Sequence, residues 1–427
     1  MISDLFFVSQ MSSPSSKNPT SASRLADFVQ DLKEFKEFES ETQMFERSFM
    51  DGELSLPYFL NEFWTSRQRA AHSLHEVSYR ACFKPQLPRF FIERLTSPGD
   101  RVYDPFMGRG TTILEAALCD REVVGCDVNP LAPILARPRL CPPSNDAVKE
   151  RLSEISWSGR QKKGEELNVF FHPKTLVQLR ALQKHFESNE LFFDEVDDWI
   201  RMVATNRLTG HSAGFFSVYT LPPNQATSLV AQRKINEKRN QEPEPRDVAK
   251  LVERKSRSLL KHLTVVERQR LSRRAQQAQF ITSSADSTPT LASESVDLVV
   301  TSPPFLDVID YQGDNWLRCW FNGLNAYEVK IWKCSKTEQW QEAMQGVFVE
   351  LYRVLKPGGF VAFEVGEVRN GAVLLEDYVV PAALAAGLQP QLVFVNEQEF
   401  TKTANCWGIN NLSKGTNTNR IVLLQKI

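Results

Sequence analysis

The chain has 427 residues, a length for two to three domains or for one enlarged domain carrying an insertion. Its 42 % apolar and 24 % charged residues are the balance of a globular protein with a real core, and 51 Lys/Arg against 52 Asp/Glu leave a net charge of −1 that announces no polyanionic partner. No window approaches the ~18 uninterrupted apolar residues of a membrane helix, and Asp4 beside the short apolar run Leu5 to Val8 speaks against a secretory signal.

Residues 10–24 (QMSSPSSKNPTSASR) are Ser/Pro-rich without apolar periodicity and predict a disordered tail over 1–24, with Met11 as a second candidate start. From Leu25 to Glu62 ten Asp/Glu stand against three Lys/Arg. There Phe28, Phe35, Phe38, Phe45 and Phe49 recur at near-helical spacing, which predicts a helical arm over 25–75. Residues 101–137 alternate as strand, helix, strand: RVYDPF ends a short strand, Gly108 to Gly110 turn tightly, TTILEAALC is a helix, and EVVGCDV is a strand ending in an acid. SVDLVVTSPPF (295–305) reads as a buried strand stopped by a proline pair. VFVELYRVLKPGG (347–359) reads as an amphipathic helix closed by Pro357 and a C-cap at Gly358, followed by the strand FVAFEV. LVFVNEQEF and NRIVLLQK read as two strands joined by a long loop, Trp407 to Asn419.

Parallel-sheet grammar thus occupies roughly 100–140 and 280–427, with about 140 residues of different character between, too many for an ordinary strand–helix connection. The expected fold is α/β, a doubly wound sheet in two halves, 76–145 and 276–427, with an inserted, largely helical region over 146–275. Seven scattered cysteines without a CxxC pair predict a reducing cytosol with no disulfide framework and no metal site.

The charge is uneven. Between Gln232 and Ala275 there are 14 Lys/Arg and six acids, so this block is +8 and the rest of the chain −9. Such a block predicts a local polyanion-binding surface, unless it is a solvated helix face laced with its own ion pairs.

Three constellations carry chemistry. In Asp104-Pro105-Phe106-Met107-Gly108-Arg109-Gly110-Thr111-Thr112, two glycines let the backbone bend at a strand-to-helix turn and approach a ligand closely. Position 113 is Ile, so this is not the dinucleotide fingerprint. Asp127, ending the next strand 23 residues after Asp104, is placed to accept from a ribose diol. Thr301-Ser302-Pro303-Pro304-Phe305 ends a buried strand: the prolines hold the chain rigid, Ser302 and the Pro303 carbonyl offer acceptors, and Phe305 a flat face. An acceptor pair beside an aromatic plate suits the exocyclic amino group of a planar base.

DPFMGRGTT with TSPPF resembles the S-adenosyl-L-methionine-dependent DNA methyltransferases that modify exocyclic amino groups, over about 82–140 and 280–427. The Ser-Pro-Pro-aromatic form is similar to the cytosine-N4 branch, whereas adenine-N6 enzymes more often begin with Asp or Asn. The resemblance implies a Rossmann-like methyltransferase sheet in a bacterial cytoplasm, associated with the nucleoid, acting on flipped cytosines of double-stranded DNA. A companion restriction enzyme is left open. Asp104, Phe106, Gly108, Gly110 and Thr111 match the cofactor loop, Asp127 the ribose-binding acid, and Asp286 the acid near the adenine ring. Phe83, Lys84 and Pro85 in ACFKPQLP match the segment at the methionine end. Ser302, Pro303, Pro304 and Phe305 match the catalytic loop.

The same resemblance gives the insertion the role of target-recognition region, with Arg254, Lys255, Arg257, Arg273 and Arg274 on DNA. Phe215, Phe216, Tyr219 and His211 either replace an extruded base or pack the insertion. A cytosine-C5 mechanism needs a thiolate from a Pro-Cys pair, and the chain has none. Adenine N6, an RNA guanine N2, a protein glutamine, or an inactive DNA-binding module are the competing readings.

Overall fold

Alternation of apolar runs with amphipathic helices builds one nine-stranded sheet. The computed structural model describes residues 20–427 except 39, 65–70, 81, 162–163, 189–192, 222–224, 305, 307–309, 333, 369–371 and 398–417. Of the expected tail over 1–24, residues 1–19 lie outside the described residues, as do Phe305 and most of the long loop before Asn419, whereas residues 21–24 are not disordered but open the first helix, Ser21–Glu34, capped by the Thr20 side chain. The strands are β1 (Gln43–Phe49), β2 (Leu54–Asn61), β3 (Arg101–Asp104), β4 (Glu122–Asp127), β5 (Gln279–Thr282), β6 (Val296–Thr301), β7 (Leu355–Val365), the short pair β8 (Glu367–Val368) and β9 (Val373–Leu374), β10 (Gln389–Glu397) and β11 (Thr418–Gln425). The helices are α1 (Ser21–Glu34), α2 (Gln86–Leu95), α3 (Thr111–Leu118), α4 (Leu131–Ala136), α5 (Asn145–Glu154), α6 (Pro173–Ser188), α7 (Glu195–Arg207), α8 (Leu229–Arg239), α9 (Val248–Leu260), α10 (Val265–Ala275), α11 (Tyr311–Phe321), α12 (Thr337–Val354) and α13 (Glu376–Ala385). None of the described helices is long and apolar enough to cross a membrane.

The sheet order is β1-β2-β10-β11-β7-β6-β3-β4-β5. Strands β3 to β7 are mutually parallel and β11 runs against its neighbours. Continuous apolar runs suit them because helices cover both faces. Alternate side chains of β6 and β7, Leu298, Val300, Phe360 and Ala362, join the core under α2 and α3. Val299, Val361, Phe363 and Val365 join the core under α12 and α13. Strand order reverses between β3 and β6, and the carboxyl ends of those strands open a crevice where such sheets bind ligands.

Two further expectations about local structure are corrected. The arm over 25–75 is not all helix: α1 carries Phe28 and ends before Phe35, and 43–61 is the β1–β2 hairpin, which pairs β2 in parallel with β10 and widens the sheet. Phe28, Phe35, Phe63, Phe90 and Phe394 form an aromatic cluster, with Phe63 stacked at 4.0 Å on Phe394. Each such pair contributes about 0.5–1.5 kcal/mol beyond its buried area. The second correction is at 347–359, where α12 already ends at Val354 and the KPGG residues form a bulge inside β7. Gly358 has φ +81°, and its N–H donates to the Lys426 carbonyl at 2.7 Å, so it turns the strand edge and does not cap the helix.

The inserted region leaves the sheet after β4 and returns at β5. Among the described residues it is helical from α4 to α10, apart from turns and one isolated bridge between Gly210 and Tyr219. Its last helix, α10, packs on α3 and serves as a covering helix of the sheet itself.

Candidate active site

Asp104 ends β3 and is buried. Its Oδ1 accepts from the Thr301 hydroxyl at 2.6 Å and from the Phe106 N–H at 3.1 Å, which ties the first constellation to the third across the switch point. Burial pushes its carboxyl up to about 7 against the pull of those donors and of Thr112. Gly108, at φ +48°, sends its N–H to Asp127 Oδ2 at 2.9 Å, and the Asn129 N–H reaches Asp127 Oδ1 at 2.8 Å. Burial pushes Asp127 up to about 6, opposed by these two bonds.

The resulting pocket is walled by Phe83, Asp104, Phe106, Gly108, Thr111, Asp127, Ser302 and Pro304. Eight of the expected residues therefore meet in one place. Lys84, Pro85, Gly110, Asp286 and Pro303 do not line it. Pro85 starts α2, and Lys84 is half-buried outside the wall, so the upstream segment enters through Tyr79, Cys82 and Phe83. Gly110 lies beneath the turn, packed against α4. Asp286 is exposed on the far side of Ala285, and Ser284 and Ala285 take the place expected for it.

Sequence reasoning missed the opposite wall, Lys330, Ile331 and Trp332, whose indole stands edge-on to Phe106 at 6.1 Å. It also missed Glu364. Residue Thr301 pairs with Phe363 across β6 and β7, which sets Ser302 beside Glu364. This buried carboxylate accepts from the Ser302 hydroxyl and, at Oε1, from Asn419 Nδ2 at 2.9 Å. Burial pushes it up to about 7, and the two hydrogen bonds pull the other way. An acid inside the apolar run FVAFEV was the available signal. Trp340 on α12 donates to the Pro304 carbonyl at 2.9 Å, which occupies that acceptor and fixes the proline corner.

The basic block divides. Arg273 and Arg274 both pair with Asp120, at 2.6 and 2.8 Å, in the α3–β4 turn at the amino edge of the parallel strands, opposite Ser302. They fasten α10 to the sheet, which removes them from a DNA surface at the crevice. Arg257 pairs with Glu253 one turn away at 2.7 Å. Lys255 pairs with Glu76 at 2.8 Å, and Arg254 is exposed beside the Ala213 carbonyl. Phe215 and Phe216 are buried, so packing of the insertion accounts for both.

The family model described as DNA methylase matches residues 13–132. The Type II methyltransferase M.MvaI of Kocuria varians is 29 % identical over 146 residues, 34 % of this chain and 28 % of that protein. The Type II methyltransferase M.MjaII of Methanocaldococcus jannaschii is 34 % identical over 74 residues, 17 % of this chain and 14 % of that protein. The chain therefore spans under a third of the length of the curated relatives it matches. A TehB-like SAM-dependent methyltransferase structure from Corynebacterium glutamicum overlaps 80 % of this chain and 87 % of its own at 8 % identity, with a TM-score of 0.31. By the family model and the two curated relatives, the part of this chain that carries the first two constellations is similar to the N6/N4 DNA methylases.

Proposed function

We propose that the chain transfers a methyl group from S-adenosylmethionine to an exocyclic amino nitrogen in double-stranded DNA, and that the acceptor is cytosine N4. The observation that carries this reading is the meeting of Ser302, backed by Glu364, with the Asp104–Gly108–Asp127 pocket at one crevice. Ser302 in place of an Asp or Asn supports cytosine over adenine.

The pocket fits the cofactor. Gly108 leaves the backbone open where a Cβ would press to 3.4 Å on the Tyr79 ring, Asp127 stands ready for a diol, and Phe106, Ala285, Ile331 and Trp332 supply apolar walls. S-adenosylmethionine, when bound, supplies a cationic sulfonium methyl as electrophile. The amino lone pair of cytosine is delocalised into the ring and attacks poorly. Ser302 Oγ, whose proton is directed to Glu364, keeps its lone pairs for an amino N–H, and the Pro303 carbonyl accepts the second. This localises the nitrogen lone pair toward the methyl group and fixes the line of attack. As the N–C bond forms and the S–C bond breaks, the nitrogen carries one proton too many. That proton leaves through the Ser302 hydroxyl, which passes its own to Glu364, a group whose raised pKa suits it to accept. The base reaches this site only out of the helix.

Incubation with duplex DNA and labelled cofactor, followed by mass spectrometry of the nucleosides, is expected to give N4-methylcytosine. N6-methyladenine would overturn the acceptor, and an unmodified DNA the reaction. Ser302→Ala is expected to lower turnover about 10²-fold while equilibrium titration shows unchanged cofactor affinity. Unchanged turnover removes Ser302 from the mechanism.

Cofactor affinity should also depend on pH. Asp104 and Asp127 titrate near 7 and 6, and a cation and a diol both favour the ionised carboxylates. Binding is expected to weaken as pH falls from 8 to 5, with protons released on binding inside that window, measured by calorimetry in two buffers. A flat profile excludes these carboxylates from contact with the ligand.

A further inference from the structure

A second hollow, about 410 Å³, shares Tyr79 and Arg109 with the methyl-transfer pocket and opens between the cofactor half and the insertion. Its remaining charged wall is Glu76, Arg207 and Lys255. His75 also lines it, but burial holds that imidazole down to about 4, so it adds no charge at neutral pH. Three cations thus face one carboxylate. Glu76 is already committed: it pairs with Lys255 at 2.8 Å and accepts from the Ser258 hydroxyl at 3.3 Å.

Neither guanidinium is ion-paired: Glu76, the acid that acts on Arg207 across the cleft, is bonded to Lys255. Arg109 donates to the carbonyls of His75 and Val77, at 3.2 and 2.7 Å, and to the Thr111 hydroxyl at 3.1 Å. Arg207, at the end of α7, donates Nε–H to the Asn206 carbonyl at 3.1 Å and lies 4.0 Å over the Phe215 ring. Among the described residues neither forms a salt bridge, although Arg207 is largely taken out of water and burial pushes it down to about 10. Partly buried cations without an anion are costly, and their persistence points to an anion from outside. The scaffold holds them in place: Asn206 Oδ1 accepts from the Ser78 N–H at 2.8 Å, locking α7 to the strip that carries Tyr79. Arg254 stands exposed next along α9, extending the positive surface outward.

We infer that this cleft holds a backbone phosphate of the DNA strand whose base enters the methyl-transfer pocket. The inference rests on the DNA reading above. A phosphodiester matches the planar donor forks of two guanidiniums. The shared wall of Tyr79 and Arg109 sets the cleft beside the base pocket, as a nucleotide joins its base to its phosphate. Such a contact fixes the register of the strand and carries no sequence preference.

The test uses the full chain and a fluorescent duplex, with affinity measured by anisotropy across salt. Arg207→Met is expected to bind about tenfold more weakly at low salt, with a log Kd against log salt slope shallower by about one. Arg207→Lys is expected to restore the slope. Glu76→Gln, which frees Lys255 by changing a half-exposed side chain, should steepen it, and it carries the test if Arg207→Met does not fold. Lys36→Gln, at an exposed position just past α1, serves as control. Equal slopes in wild type, Arg207→Met and Glu76→Gln overturn the proposal. Inorganic phosphate that binds wild type but not Arg207→Met, with duplex affinity equal in both, assigns the cleft to a free anion and also overturns it. A wild-type chain that binds cofactor by titration but shows no salt-dependent DNA binding removes the DNA reading beneath, a result distinct from a failure of the cleft alone.

Discussion

Glu364→Gln is expected to lower methyl transfer by 10²-fold or more and, in the same protein, to raise thermal stability at pH 8. The two effects have one cause. Glu364 is buried beside Ser302 and Asn419, and burial lifts its carboxyl from an ordinary 4.5 to about 7. An acid whose folded pKa lies above its unfolded value costs the fold nothing while protonated in both states. The wild type loses stability as pH rises through 4.5 toward 7, because the unfolded chain releases the proton first. Gln keeps the shape, keeps an oxygen for Asn419 Nδ2, and never ionises. The variant should therefore exceed wild type by up to about 3 kcal/mol above pH 7, and the gap should close near pH 4. Melts at pH 8 and pH 4, with single-turnover rates and cofactor titration, separate the possibilities. A lower melting temperature at pH 8 would mean that the ionised carboxylate stabilises the fold. Unchanged turnover would leave the amino proton with another exit.

How much of this was legible depends on whether a local pattern had one structural reading. The apolar centres Leu298–Val300 and Val123–Cys126 read as covered strands, so Asp127 and Ser302 were legible as residues at strand ends. Phe45 and Phe49 are four apart, which places two side chains on one face of a helix and equally of a strand. Only Phe28 lies on a helix, and Phe35, seven residues on, is the extended cap that follows it. Gly358 after Pro357 has the signature of a helix end, yet the sheet register with Lys426 claims it, a long-range bond invisible to a window of sequence. Lys330 to Trp332 sit in no periodic element, and only tertiary folding brings them across from Phe106. For Arg273 and Arg274 the sign of the charge was legible but the edge of the sheet was not, because Asp120 lies more than 150 residues away in sequence.

The two glycines of the turn between β3 and α3 are two residues apart and are expected to fail in different ways. Gly110 has φ +74°, and a Cβ there would come within 2.7 Å of the Ala136 Cβ and 3.5 Å of its Cα, on the backbone of α4. The turn is also gripped from below by Arg139, a fully buried cation that donates to the carbonyls of Arg109 and Gly110 and, through Nε at 2.9 Å, to that of Leu135. Nothing on that side can give way without moving α4. Gly110→Ala is therefore expected to cost about 3 kcal/mol or more, from left-handed strain of about 1 kcal/mol plus overpacking against backbone. Gly108 has φ +48°, but its nearest obstacle is the edge of the Tyr79 ring at 3.4 Å, a side chain that can shift by a few tenths of an ångström. Gly108→Ala should cost the fold only about 1 kcal/mol. Its methyl, however, would stand on the pocket wall where the backbone must come close to the ligand, and cofactor affinity should fall by more than tenfold. Thermal melts and equilibrium titration on both variants give the ranking directly. Should Gly108→Ala prove the less stable, or Gly110→Ala alone lose the cofactor while melting like wild type, then the turn approaches its ligand at Gly110, and the pocket has been assigned to the wrong glycine.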